Sequence, residues 1–376
     1  MKKSLLVLLA LAVTAGAQAQ IGVSGQIHTN LGVRFRGGDG IFMQGNTLQT
    51  FHEFARPAQW DFTFLGPNTH FEVNVAGEVA GGFLRVRTGP FNAAGMFRGY
   101  FYVNLVGGHE LGIGFTELPW VQWSPITFDG DNNAGVGAAA STVNPFVIGH
   151  FAVAPGMTVY AGLSEAGRTG ATAGVAGAGA GIGGVWNMSS PDDDVTWSSP
   201  TPGFFAGFEM TEPDFVAGLA LAGVPTSTTG GADGIFAWMA SVYGRLLGIG
   251  PTEQIGVNVA IYGDPMYGFF AVAHSGAATH LQQVARGVSA SPWMMLEAMV
   301  NATFPFDFGT AAFSYGVLLP FDGDTELLGQ QVAAQVTIPL GGGFSLIPGV
   351  RYRHENDHFG NARSQTDIGV HMRFNF

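Results

Sequence analysis

Two short segments carry residue types and spacings that could do chemistry. His354-Glu355-Asn356-Asp357-His358 matches a His-Glu-x-x-His zinc motif. That chemistry needs both histidines on one face of a helix, with the glutamate placed as general base. No apolar stripe at helical spacing supports a helix here. The segment reads as a short polar loop between the last two strands, so no metal site is expected. Gly179-Ala180-Gly181-Ile182-Gly183-Gly184 matches Gly-x-Gly-x-x-Gly. A dinucleotide fingerprint needs a strand before it, a helix after it and an acidic ribose ligand further on. Instead it sits in a run from Gly167 to Gly184 of almost only Gly, Ala, Thr and Val, which reads as a flexible surface loop. There is no Gly-x-Ser-x-Gly elbow. No cofactor is expected, and nothing points to an enzyme.

A third set of residues is more informative. Arg34 and Arg36, Glu72 and Glu78, Arg85 and Arg87, Arg98, Arg351 and Arg353, and His371 and Arg373 all stand opposite rows of apolar side chains. Such positions need an element that separates two faces at every residue. That element is the β-strand, whose side chains alternate with period two. In the first long segment Ile21, Val23, Ile27, Leu31, Val33 and Phe35 alternate with Ser24, Gln26, His28, Asn30, Arg34 and Arg36. In the last, Ile368, Val370, Met372, Phe374 and Phe376 alternate with Asp367, His371, Arg373 and Asn375.

Sixteen such runs can be traced, at about 21–36, 57–65, 69–88, 95–105, 109–118, 145–154, 157–164, 203–210, 214–224, 234–246, 254–263, 292–304, 309–319, 330–340, 343–353 and 366–376. Many reach the nine to eleven residues that a tilted strand needs to cross a bilayer. The third run changes parity at Gly81-Gly82, which reads as a β-bulge. Short connections at Gly66-Pro67-Asn68, Val106-Gly107-Gly108, Ala154-Pro155-Gly156 and Gly341-Gly342 alternate with long ones at roughly 37–56, 119–144, 165–202 and 264–291. Short turns on one side and long loops on the other are the signature of a membrane barrel. Aromatic clusters at Trp60-Phe62-Phe64, Phe304-Phe306-Phe308 and Phe374-Phe376 suit a girdle at the short-turn side. The fold class expected is therefore all-β: a sixteen-stranded antiparallel transmembrane barrel, closed because an open edge in lipid leaves backbone groups unsatisfied.

Composition agrees. Hydrophobic residues make up 47% of the chain and charged residues only 11%, yet beyond the amino-terminal segment no run of 18 apolar residues could form a spanning helix. Residues 1–19 read as a cleaved signal peptide, with Lys2 and Lys3, an apolar stretch from Leu5 to Val13, and Ala17-Gln18-Ala19 at the cleavage site. The barrel domain is then 20–376. It has no cysteine, and its thirteen arginines against 27 acids give a net charge of −14, which argues against nucleic acid.

The closing strand, Gly369-Val370-His371-Met372-Arg373-Phe374-Asn375-Phe376, resembles the carboxy-terminal assembly signal of bacterial outer-membrane barrels, and the chain resembles the porins. The resemblance implies recognition by the barrel-assembly machinery through Phe374 and Phe376. It also implies a place in the outer-membrane lipid of a diderm bacterium, an even strand count with both termini in the periplasm, and a homotrimer. The function expected is a water-filled channel for passive diffusion of small hydrophilic solutes and ions. Interior arginines fit it, because Arg on the lipid face costs about 2–4 kcal/mol at the midplane while a wet lumen solvates it. By analogy of order alone, the loop after the fifth run is a constriction loop, with Asp129 and Asp131 facing the arginines. The alternatives are a substrate-selective barrel of eighteen strands, with a further hairpin in 165–202 or 264–291, and a structural or adhesin barrel whose loops do the work.

Overall fold

The computed structural model describes residues 20–37, 40–44, 47–51, 58–63, 69–87, 96–117, 126, 143–164, 197–198, 203–228, 235–263, 294–320, 329–356 and 362–376. They form twenty strand segments: β1 (Gln20–Gly37), β2 (Gly40–Gln44), β3 (Thr47–Phe51), β4 (Ala58–Thr63), β5 (His70–Ala76), β6 (Ala80–Arg87), β7 (Met96–Leu105), β8 (His109–Glu117), β9 (Val143–Ala154), β10 (Met157–Ser164), β11 (Trp197–Ser198), β12 (Gly203–Thr211), β13 (Phe215–Thr228), β14 (Ile235–Leu247), β15 (Gln254–Gly263), β16 (Met294–Phe306), β17 (Gly309–Pro320), β18 (Gly329–Gly341), β19 (Phe344–Asn356) and β20 (Ala362–Asn375). β2 and β3 pair only with each other, as a hairpin in the first long connection.

The other eighteen segments make one antiparallel sheet that closes on itself through β1 and β20. They occupy sixteen wall positions, because β4 and β5 both pair with β1, and β11 and β12 both pair with β13. The closure includes two reciprocal bonds: Gly25 N–H donates to the Phe376 carbonyl at 3.0 Å and Phe376 N–H donates to that of Gly25 at 3.1 Å. β10 pairs directly with β12, and β15 directly with β16. The wall therefore has no room for the extra hairpin that an eighteen-stranded barrel needs.

The strand count expected from sequence is right, but two of its parts are not. Asn30 pairs with Thr63 and Gln26 with His70, so β4 and β5 run in the same direction along β1. The chain does not reverse at Gly66-Pro67-Asn68, a stretch that itself lies outside the described residues. The reversal comes at Gly77-Glu78-Val79, after which β6 pairs back on β5. The change of parity near Gly81-Gly82 is a change of strand, not a bulge. One false turn and one missed turn cancel in the count. A Gly-Pro-Asn triplet is a strong local turn signal, but the pairings of Thr63 with Asn30 and of His70 with Gln26 leave only 27–29 of β1 between them. The hydroxyl of Thr69 bridges that gap in the ladder. It accepts from His28 N–H at 3.0 Å and donates to the His28 carbonyl at 3.3 Å. Trp60 and Phe62 consequently stand within the wall opposite Val33 and Leu31, and not at the short-turn rim.

The short turns share one rim with both barrel termini. At Gly107 and Gly108 the backbone takes φ of +88° and +78°, which glycine tolerates without the strain of a Cβ. Phe306 and Phe308 stack at 5.7 Å on this rim, as do Phe344 and Phe374 at 4.3 Å. The outward face is apolar and uncovered: Ile21, Leu31, Phe101, Leu111, Val147, Leu219, Val242, Val257 and Ile368 are all exposed. In water each would forfeit about 1.5–3 kcal/mol relative to burial, so this surface requires a hydrocarbon surrounding. The residues between them point inward, and these form the candidate site.

Candidate functional site

The inner wall has three regions. The first lies on β19, β20, β1, β4, β5, β6 and β7, toward the rim with the long connections, and is rich in arginine. Barrel closure puts Arg34 opposite Asp367, and Asp367 opposite Arg351, across three adjacent strands. Two residues nearer the rim, Arg36, Gln365 and Arg353 repeat the row. On the other side of β1, Glu72, Arg85 and Arg98 are in register, and Arg87 ends β6 opposite His70. The side chains of Arg34, Arg36, Arg87, Arg98 and Arg353 lie outside the described atoms.

Two of the expected wall arginines are held in ion pairs. Arg85 Nε donates to Glu72 Oε2 at 2.5 Å. Arg351 donates from Nε at 3.2 Å and from Nη2 at 3.0 Å to Asp367 Oδ2. The two pairs differ in environment. The Arg85 side chain keeps 31% exposure, whereas that of Arg351 keeps 2%. Arg351 therefore braces the wall, and Arg85 still meets the lumen. His371 is on the inner face but fully covered, with its Nδ1 3.2 Å from His28 Nε2. Arg373 is opposite His28 and half-buried. Glu78 is not on the wall at all: it is exposed in the turn between β5 and β6.

The second region, on β14 to β18, is rich in uncharged polar side chains among the described residues. Ser241, Asn258, Asn301, Thr303, Ser314, Gln331 and Gln335 all point inward and are buried, as are Ala312 and Ala333. Asn258 Nδ2 donates to Ser241 Oγ at 3.4 Å. Ile126, the single described residue of the long segment between β8 and β9, is 1% exposed and packs against Ala312 of β17 and Ala333 of β18. β8 and β17 lie halfway round the closed sheet from each other. Ile126 thus lies inside the barrel, against the wall opposite β8. Asp129 and Asp131, three and five residues further on, lie outside the described residues.

The third region, on β7 to β14 toward the short-turn rim, combines tyrosines and acids. Tyr100 hydrogen-bonds Glu110, and Tyr243 donates to Glu209 Oε2 at 2.7 Å. The rings of Tyr102 and Tyr100 are 5.9 Å apart, and those of His150 and Tyr160 are 6.1 Å apart. Sequence reasoning passed over these residues because it searched the inward positions for arginine and glutamate pairs. The parity that marks them was readable: Tyr100 and Tyr102 alternate with the outward Phe101 and Val103. Phe146, Ile148 and Phe205, which also point inward and are buried, broke the expected polar-in pattern and gave no signal.

His354, Glu355 and Asn356 form the end of β19, paired with Ser364, Arg363 and Ala362, where a polar loop was expected. His358 lies outside the described residues, and a β-strand is not the helix that the motif requires. No group of three or more potential metal ligands occurs among the described residues. The Gly179–Gly184 stretch is outside them.

No family model matches the chain, and no curated protein matches it. Solved structures do. The outer membrane channel DcaP of Acinetobacter baumannii superposes with a TM-score of 0.71 at 13% identity, covering 96% of this chain and 98% of that one. The anion-selective porin from Comamonas acidovorans gives 0.59 at 10% identity, covering 96% and 100%. Salmonella typhi OmpF gives 0.54 at 9% identity, covering 96% and 99%. This chain has the porin fold. In that fold the strands supply a continuous wall, and whatever selects solutes has to come from the inward side chains and from segments that enter the lumen.

Proposed function

We propose that this protein is an outer-membrane porin that lets small hydrophilic solutes and ions diffuse passively through a water-filled lumen. The observation that carries the reading is the division of one closed sheet into an uncovered apolar outer face and an inner face of ionised and hydrogen-bonding side chains. A sixteen-stranded barrel is too wide for side chains alone to fill. Interior charges in a dry core would cost several kcal/mol each in desolvation; water in the lumen removes that cost.

The open path runs along β5 to β8, where Glu72, Arg85, Tyr100 and Glu110 are only partly buried. The facing wall of β14 to β18 is covered, and Ile126 is one of the groups that covers it. The place of Ile126 on that wall supports the reading of its loop as a constriction loop, to which Asp129 and Asp131 would contribute acids facing the arginines. Fixed charge so arranged sets ion preference. The inner rows of Arg34, Arg36, Arg85, Arg87 and Arg98 favour anions, in keeping with an anion-selective porin among the fold neighbours. Export through the signal peptide at 1–19, handling of Phe374 and Phe376 by the assembly machinery, and a trimeric state in the outer-membrane lipid complete the reading.

The test is a planar bilayer recording of the purified, refolded protein. Discrete conductance steps are expected, with a reversal potential under a salt gradient that marks anion preference. A folded barrel without conductance would leave a structural or adhesin barrel in its place.

A further inference from the structure

The tyrosines of the third region share an unusual seat. Each lies on a glycine of a neighbouring strand. Tyr243 is directly opposite Gly218, Tyr160 opposite Gly207, and Tyr102 opposite Gly81. Tyr100 leans diagonally onto Gly112, whose direct partner is Tyr102. A side chain on the inner wall can either project across the lumen or fold down along the wall. Folding down requires that the neighbouring strand offer no Cβ at that point. Aromatic side chains laid over sheet glycines also restore the packing that glycine lacks.

Gly112 and Gly218 are the informative cases. A Cβ built on Gly112 would lie 2.5 Å from Tyr100 Cε2, and its three nearest atoms all belong to the Tyr100 ring. One built on Gly218 would lie 2.6 Å from Tyr243 Cε1, and its three nearest atoms all belong to Tyr243. At Gly207 and Gly81 a Cβ would also strike backbone carbonyls, of Leu219 at 2.6 Å and of Val75 at 2.7 Å. So at Gly112 and Gly218 the tyrosine is what a Cβ meets first and what must give way, and the lumen is the direction open to it. The same two rings are held at their far ends, Tyr100 by Glu110 and Tyr243 by Glu209. Each is fixed at its phenol end, by the glycine beneath it and the carboxylate at the hydroxyl.

We propose that Gly112 and Gly218 set the size limit of the channel at its short-turn end, by letting Tyr100 and Tyr243 lie flat along the wall with their hydroxyls tied to Glu110 and Glu209. What the two glycines control here is bulk, because the group they let lie flat is an uncharged ring whose hydroxyl is already engaged. Gly112 and Gly218 are positioning residues; the rings do the sieving. The inference rests on the channel reading above.

The experiment measures single-channel conductance and the exclusion size for polyethylene glycols in the parent, Gly218→Ala, Tyr243→Ala and the double variant, with the matching Gly112 and Tyr100 set. Gly218→Ala should lower conductance and exclude smaller polymers. The same change on the Tyr243→Ala background should have no effect, because no ring remains to displace. A loss of conductance from Gly218→Ala that is equal in both backgrounds, or absent in a heat-modifiable folded barrel, overturns the proposal. Should Gly218→Ala fail to assemble, Glu209→Ala frees the same ring by removing the acceptor of its hydroxyl. Its conductance loss must then vanish on the Tyr243→Ala background, and a loss that persists there counts against the proposal. A parent protein that never conducts removes the channel reading first.

Discussion

His371 Nδ1 and His28 Nε2 meet at 3.2 Å although 343 residues separate them in the chain. Their rings stand 4.8 Å apart, both fully buried, at the junction of the first strand with the last. One ring must donate and the other accept, so the pair requires complementary protonation of its facing nitrogens. Arg351, Asp367 and Arg373 are the charged groups around the same stretch of the closing strands. Removing one ring leaves the other's nitrogen without this partner in a covered site. We expect His371→Ala to destabilise the barrel by about 1–3 kcal/mol, the usual cost of an unsatisfied buried polar group, with a non-additive double variant His28→Ala/His371→Ala. Urea unfolding in detergent, followed by heat-modifiable mobility, measures both.

The ion pair of Arg351 with Asp367 should behave differently from that of Arg85 with Glu72. Breaking a buried pair leaves an uncompensated charge and typically costs about 3–5 kcal/mol. Arg351→Gln is therefore expected to cut stability with little change in ion selectivity. Arg85 is partly exposed, and Arg85→Gln should alter selectivity with only a small stability loss. The two readouts, unfolding midpoint and reversal potential, should move in opposite order for the two variants.

Replacing Arg34, Arg36, Arg87 and Arg98 together by Ser should shift the reversal potential toward cations, since fixed positive charge repels them. An unchanged reversal potential would mean that these side chains are neutralised by acids or stand away from the ion path.

The seat of Ile126 against Ala312 and Ala333 offers a handle on the segment that carries it. Ile126→Asp places an unpaired charge in a covered apolar site, and the segment should leave the wall to solvate it. Single-channel conductance is expected to change in mean value and to become noisier. Conductance identical to that of the parent would separate this contact from any control of the lumen.

Deleting Phe376 removes both reciprocal backbone bonds to Gly25 and the ring that lies over it. We expect the truncated chain to fold slowly in cells and to accumulate before insertion. Normal amounts of heat-modifiable barrel in the outer-membrane fraction would count against an assembly role for this residue.

Much of this molecule is legible in the chain itself, because a two-faced strand writes its orientation into every second residue. The alternation from Ile21 to Arg36 and from Asp367 to Phe376 establishes which side chains face outward, and the number and spacing of such runs establish a barrel. Local signals served less well where the neighbours decide the outcome. Gly66-Pro67-Asn68 looks like a hairpin turn, but β1 pairs with both flanking segments and holds them in line, and Thr69 closes the ladder across the gap. The true turn at Gly77-Glu78-Val79 took Glu78 off the wall. Closure of the first strand on the last was readable, but the register between distant strands was not. The row Arg34–Asp367–Arg351, the stack of His28 on His371, the contact of Ile126 with the opposite wall and the glycine seats beneath Tyr100 and Tyr243 each join residues that sequence neighbours cannot relate. Periodicity reports which face a side chain takes; register, which only the closed sheet fixes, decides what it meets there, and hence which arginines are braced and which rings lie flat.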